Sequence, residues 1–356
     1  MSAPSISDPT RPVVVRFAAL GDVVLLSVLL HALANRHGSA VDVLASGGWT
    51  RTLLEHDPAV GDIRLVSSRK RPYWLTPSQR EAVAWLRAHT GPIYLCDPDA
   101  AARRLVERAV APERIVAPWQ QWPGMAVHWA DWWASVGSGQ ALGAGRGQPR
   151  LVAPAAWLDE ARAWTVARGV GEAPLLLIQP GNKKTAKRWS LHRTDNDKYW
   201  PPERWALVIR GALADQPALR VIVCGSPREA ELVRSIVDAS GDARVLAAAE
   251  DLPLPRLIGL TALASGMISI DTGPAHIAAA MDCPCVVLFG FHGYGRWAPR
   301  APTSEVITLG NRDTVDGANV RTIAAADVLA AWRRLPRRNA SPQPGTLEFS
   351  RQNSTQ

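Results

Sequence analysis

The chain has 356 residues, 47% hydrophobic and 20% charged, which excludes wholesale disorder and leaves room for about two domains of ~150 residues. Its four cysteines, Cys96, Cys224, Cys283 and Cys285, exclude a disulfide framework; the close pair flanks Pro284 in an apolar run, as buried and inert thiols do. The formal charge of +8 favours an anionic partner, whether phosphate groups, a membrane surface or nucleic acid, and charge alone does not choose among them.

Residues 13–17 form a β-branched run, followed by Ala-Ala-Leu-Gly-Asp and a helical apolar pattern to Asn35. Residues 23–34, with Arg11 and Arg16 ahead of them, have some features of a signal-peptide core. Asp22 and Gly21 at its start argue against that, as do Ser27 and His31 within it, and the stretch falls short of the ~20 residues that span a bilayer. The reading is therefore strand, tight loop and helix in a cytoplasmic protein. His37-Gly38 stops the helix, and residues 41–45 complete a βαβ unit. Strands at 63–66, 93–96 and 114–117, with a helix at 77–89, extend a parallel sheet through an N-terminal domain of residues 1–152. Residues 137–148, rich in glycine and without periodicity, read as a loop. A helix at 154–168 lies in an interdomain segment, 153–173.

A second domain, 174–322, is built in the same way, with strands at 175–179, 220–224, 267–270 and 286–289, and helices at 202–214, 229–239 and 275–281. A C-terminal helix at about 324–335, within a 323–336 segment, precedes a polar tail, 337–356, expected to be disordered.

In open α/β sheets ligands bind beyond the carboxyl ends of the strands, which directs attention to three loops. The first, residues 17–22, brings Asp22 to a helix start; an N-cap or first-turn carboxylate that steadies the helix and a catalytic carboxylate are both open readings. The loop lacks GxGxxG, which counts against a dinucleotide oxidoreductase. In the second, Asp271-Thr272-Gly273-Pro274-Ala275-His276 leads from a strand into a helix whose first N–H groups suit a diphosphate. His276 there is either a structural donor or an active group. The third, 179–203, carries the basic segment 183–188, which is a solvated loop or a source of cations beside an anionic leaving group.

Four segments then give a resemblance: RFAALGDVVL at 16–25, DKYWPPERW at 197–205, CGSPRE at 224–229 and IDTGPAHIAAA at 270–280. With VVLFG at 286–290 and WAP at 297–299, the chain resembles glycosyltransferase family 9, the ADP-heptose:lipopolysaccharide heptosyltransferases. The resemblance implies a GT-B fold, two Rossmann-like doubly wound domains facing a cleft, with an acceptor-binding N-terminal half and a nucleotide-sugar-binding C-terminal half. It implies inverting, metal-independent transfer of a heptose or related sugar, with ADP-heptose as expected donor and no cofactor. Asp22 matches the family's catalytic carboxylate, an ionised base for the acceptor hydroxyl. Lys198 matches a donor-contacting lysine that balances the leaving diphosphate. Asp271, Thr272, Gly273 and His276 match the donor loop, Glu229 matches a carboxylate that contacts the nucleotide ribose, and Lys187 of the basic segment joins the donor side. No carboxylate cluster suited to Mg²⁺ stands out.

For the acceptor, a lipopolysaccharide core or another cell-surface glycan, Arg69, Lys70 and Arg71 follow a strand end and suit phosphate or carboxylate; an exposed charge run is the other reading. Arg103 and Arg104 follow another strand end. Trp129, Trp132 and Trp133 are expected in packing rather than on sugar. Asp97-Pro98-Asp99 departs from the family's acceptor-domain pattern. Two other functions fit the same fold: a nucleotide-sugar epimerase, which would consume donor without acceptor, and a non-catalytic nucleotide-binding protein. Membrane contact, if made, is expected to be peripheral, at the cytoplasmic face of the inner membrane. Nucleic acid is not an expected partner, because the basic residues are spread over loops without a recognition helix.

Overall fold

Two runs, Val13-Val14-Val15 and Leu175-Leu176-Leu177-Ile178, are buried on both faces, and that double burial is what a parallel sheet covered by helices on each side demands of its central strands. The computed structural model describes residues 8–68, 71–124, 126–182, 196–290, 294–310 and 319–338. Its N-terminal half runs β1 (Val13–Arg16), α1 (Leu20–His37), β2 (Val41–Ala45), α2 (Trp49–Leu54), β3 (Val60–Leu65), α3 (Pro77–Ala88), β4 (Ile93–Leu95), α4 (Ala100–Glu107), β5 (Ile115–Val116) and α5 (Trp129–Ser138). After α6 (Ala155–Ala167) come β6 (Leu175–Gln179), α7 (Pro202–Asp215), β7 (Arg220–Cys224), α8 (Ala230–Ser240), β8 (Val245–Ala248) and α9 (Leu254–Leu263). The chain continues with β9 (Gly266–Ile270), α10 (Gly273–Ala280), β10 (Cys285–Leu288), α11 (Tyr294–Trp297), β11 (Val306–Leu309) and α12 (Ala325–Arg334).

All strands pair in parallel, in the orders β3-β2-β1-β4-β5 and β11-β10-β9-β6-β7-β8. Each sheet therefore reverses its winding once, between β1 and β4 and between β6 and β9. Those two crevices are where ligands of doubly wound sheets bind. Gln179 sits in register with Ser269, so the loops after β6 and β9 leave the same edge side by side.

The expected strands are present, although β3 begins at Val60 rather than 63, and β8 and β11 were not anticipated. The expected loop at 137–148 begins later. Gly137 and Ser138 belong to α5, which ends at Gly139 with φ 74°. A Cβ on Gly137 would lie 2.5 Å from Ala32 Cβ, so this glycine serves the packing of α5 on α1 rather than a turn. The expected disordered tail also begins too early at 337. Arg337 donates to Gln216 Oε1 and lies over Trp332, and Arg338 donates to carbonyls of Ala262, Met281 and Asp282; residues 339–356 lie outside the described residues. All four cysteines are buried, and burial raises the Cys224 thiol to about 12, in keeping with inert thiols.

One apolar cluster joins the two halves, running from α1 through Trp132, Trp133, Leu151 and Trp164 into α9 and α10. Polar ties accompany it. Arg150 donates its N–H to Ser27 Oγ, Leu151 N–H donates to Ala280 O, and Arg300 forks onto Asp131 at 2.6 and 2.9 Å. At the head of α5, His128 Nδ1 accepts from Ala130 N–H, so the ring proton sits on Nε2 and is donated to Ala298 O at 2.9 Å. Burial, with Arg300 close by, lowers His128 to about 4. The unfolded chain takes up this proton near pH 6.5 and the folded chain only near 4, so stability falls with pH across that window, by about 3 kcal/mol in full. Thermal melts of the parent and of His128→Asn, which retains a donor and an acceptor, are expected to diverge: the parent loses more of its melting temperature between pH 7.5 and pH 5.

Candidate functional site

The first side of the site is the β1–α1 turn. Asp97, buried at the end of β4, accepts the Phe17 N–H on Oδ2 at 2.8 Å and the Asp99 N–H on Oδ1 at 2.9 Å. Arg16 donates to the carbonyl of Cys96 at 3.1 Å. These bonds fasten the start of α1 to the switch point between β1 and β4. The helix begins on Ala19, without a side-chain cap, and Asp22 lies within its first turn, half-buried. Asp22 is therefore not the N-cap; a first-turn carboxylate remains consistent with the helix dipole.

The second side is the β9–α10 turn. Asp271 donates its N–H to Leu288 O at 2.9 Å, Thr272 is the N-cap in extended conformation, and Gly273 and Pro274 open the helix. Lys198 Nζ reaches Asp271 twice, at 2.5 Å to Oδ2 and 3.0 Å to the carbonyl oxygen. Lys198 is held on a short turn, with its N–H on Asn196 Oδ1 at 3.1 Å and the neighbouring Asp197 carbonyl accepting from Val320 N–H. A Cβ on Gly290 would come within 2.2 Å of that Asp197 carbonyl, so only glycine lets the end of β10 pass beneath the turn. The lysine matched to the donor side is thus fixed by a buried carboxylate.

His276 is where the sides meet. Its ring is buried in the first turns of α10, and its Nδ1 finds no hydrogen-bond partner among the described residues. Burial pushes its pKa down, Asp271 and Asp22 act to raise it, and Lys198 acts to lower it, so the ring stays neutral at pH 7. Asp22 and Lys198, from opposite halves, therefore both lie within electrostatic reach of one imidazole. Gly21 makes this possible, because a Cβ there would lie 2.7 Å from His276 Cδ2.

Glu229 closes the 3₁₀ turn Pro227–Glu229 between β7 and α8. Its Oε2 accepts from Ser226 N–H and Oγ at 2.8 and 2.7 Å in a capping box, and its Oε1 would be 2.0 Å from a Cβ on Gly181. The residues read for the donor are thus gathered at the carboxyl edge of one sheet, except Lys187, which lies outside the described residues. Arg69 and Lys70 lie outside them as well. Arg71 and Arg104 come together with Arg108, Tyr73, Trp74 and Asp99 around a cavity of about 410 Å³ at the carboxyl edge of the N-terminal sheet. Arg103 instead pairs with Glu107 at 3.5 Å. Trp132 and Trp133 are buried, and Trp129 stacks on Trp122 with centroids 4.2 Å apart, so this aromatic group is packing. Among the described residues, no three His, Cys, Asp or Glu side chains group as metal ligands do.

Asp97, Gly21 and Asn196 were not singled out from sequence as contributors to the site. Asp97 carried one signal, an acidic residue directly after a buried strand end; the other two act through contacts distant in sequence.

Residues 140–320 match the model for glycosyltransferase family 9 (heptosyltransferase). The chain belongs to glycosyltransferase family 9. Among characterised relatives, lipopolysaccharide heptosyltransferase 1 of Escherichia coli (strain K12) is 33% identical over 138 residues, 35% of this chain and 41% of that protein, so the match spans less than half of that relative. The family 9 glycosyl transferase from Veillonella parvula superposes with a TM-score of 0.75 at 18% identity, covering 94% of this chain and 98% of that one. The E. coli heptosyltransferase WaaC solved with ADP gives 0.62 at 18% identity, covering 91% and 99%. These likenesses fix the architecture as GT-B. In this family 9 chain the two sheets meet across α1 and α10.

Because Gly21 faces an enclosed ring, Gly21→Ala is expected to cost about 1–3 kcal/mol by overpacking. Gly273→Ala, whose Cβ meets the mobile end of Leu20 at 2.6 Å, is expected to cost less. Urea unfolding of the two variants tests the order, and equal stability of Gly21→Ala and the parent would refute the seating of α1 on His276.

Proposed function

We propose that this chain is an inverting, metal-independent glycosyltransferase that moves a heptose from ADP-heptose to a lipopolysaccharide-core acceptor, with the N-terminal half binding acceptor and the C-terminal half binding donor. The observation that carries the reading is the convergence of Asp22, from one half, on the Lys198–Asp271–His276 group of the other. The names of the family and of its curated relative support the sugar and the acceptor class, and the ADP-bound structural neighbour supports the nucleotide.

In this mechanism the Asp22 carboxylate takes the proton of the acceptor hydroxyl as that oxygen bonds to the anomeric carbon. The bond from that carbon to the diphosphate oxygen breaks on the opposite face, and its electron pair leaves with ADP. The negative charge growing on the diphosphate meets the N-terminus of α10, whose N–H groups and dipole favour an anion. It also meets the Lys198 ammonium, already oriented by Asp271, so little reorganisation accompanies the reaction. A neutral His276 contributes one N–H donor at the same place. Glu229, beside Gly181, takes the nucleoside end of the donor in this reading. Arg71, Arg104 and Arg108 supply guanidinium groups for an anionic acceptor. Peripheral association with the cytoplasmic face of the inner membrane belongs to the same reading; among the described residues no helix is long and apolar enough to cross a membrane.

Asp22→Asn is expected to lower kcat by about 10²–10⁴-fold, the usual worth of a positioned base, while leaving the melting-temperature rise given by ADP intact. Turnover near the parent's would overturn the base assignment. In a panel of ADP-, UDP- and GDP-sugars, only ADP-sugars are expected to raise the melting temperature; selective stabilisation by a uridine or guanosine donor would overturn the donor assignment.

A further inference from the structure

Outside the cleft, the most exposed large apolar side chains among the described residues are two neighbours, Trp74 at 72% and Leu75 at 67% exposure. Single exposed apolar residues are ordinary; an adjacent Trp-Leu pair on a built support is less so. The pair forms most of a 3₁₀ turn, Tyr73–Leu75, between β3 and α3. Leu75 and Thr76 donate their N–H groups to the carbonyls of Pro72 and Tyr73, and Thr76 Oγ1 donates to Pro72 O. The buried amide of Gln79 donates to the carbonyls of Ser68 and Arg71 at 2.6 and 3.0 Å, and Arg80 donates to the carbonyl of Trp74. The turn is thus bonded from beneath by α3, and the two side chains are held outward.

The surroundings are predominantly basic, three arginines to one carboxylate. Arg71, Arg104 and Arg108 share a cavity wall with Trp74, and Arg108 also lies over Tyr73 at 4.7 Å. The acidic member of that wall, Asp99, accepts the Ala101 N–H as the N-cap of α4. An outward Trp-Leu pair beside a cluster of guanidinium groups matches the interface of an anionic bilayer, where an indole sits at headgroup depth and arginines meet lipid phosphates.

We propose that the Trp74–Leu75 turn, with Arg71, Arg104 and Arg108 beside it, docks this protein on a bilayer containing anionic phospholipid. The proposal rests on the glycolipid-acceptor reading only for its purpose: docking here sets the mouth of the arginine-lined cavity against the surface that presents a lipid-anchored acceptor. Arginines give the attraction its salt dependence, and the inserted pair anchors the protein once it has arrived.

The test is flotation of the full chain with phosphatidylcholine vesicles, with and without phosphatidylglycerol, a measurement independent of sugar transfer. The parent is expected to float with the anionic vesicles only. Trp74→Ser/Leu75→Ser is expected to weaken that binding by about tenfold or more with an unchanged melting temperature, since both side chains are exposed. Brominated acyl chains are expected to quench parent fluorescence on binding, and Trp74→Phe to float while losing most of that quenching. Absence of flotation by the parent, equal flotation by the double Ser variant, or unaltered quenching in Trp74→Phe would each overturn the proposal. So would sedimentation showing a dimer that the double Ser variant abolishes, since a second copy would then cover the turn. None of these results bears on the Asp22→Asn assay, so docking and chemistry fail separately.

Discussion

The seating of Gly21 against the His276 imidazole is the contact on which the arrangement of the molecule depends. It lies on the line where α1, the first helix of one Rossmann-like unit, meets α10, the helix that follows β9 in the other. Because the missing side chain belongs to the residue before Asp22, the closeness that unites the halves is the same closeness that sets the carboxylate. Site geometry and domain packing are one problem in this protein, and a shift in either is a shift in both.

Around that contact these charged groups are held by polar partners. Lys198 is held by Asp271, Glu229 by the Ser226 backbone and hydroxyl, and Asp97 by two backbone N–H groups. Buried charge without partners is costly, so each of these groups needs its partner for the fold to persist. The same partners restrict the motion of each group. His276 differs from them: its Nδ1 has no partner among the described residues, and burial keeps the ring uncharged.

Much of this was readable from the amino-acid sequence, for definite reasons. Central strands announce themselves because burial on both faces demands unbroken apolar runs, as at Val13-Val14-Val15 and Leu175-Leu176-Leu177-Ile178. The outer strand β8, Val-Leu-Ala-Ala with its middle half-buried, carries a weaker pattern. The β9–α10 loop was recognisable because a strand end, a glycine, a proline and a helix follow one another within a few residues. By contrast, the bond from Lys198 to Asp271 spans 73 positions and that from Phe17 to Asp97 spans 80, and local pattern carries no trace of either. Gly137 misled for the same reason: it has the composition of a loop, yet its lack of a side chain answers to Ala32 on a neighbouring helix.

Arg338 gives the far end of the chain a part in the centre. Its guanidinium draws together carbonyls from the close of α9 and from just beyond α10, the negative poles of those helices, while the positive pole of α10 faces the cleft. Shortening the chain at the visible end of α12 would strip this counter-charge and untie the rear of α10 without touching any side chain in the cleft. A boundary for recombinant work therefore lies no earlier than Arg338, even though α12 closes at Arg334.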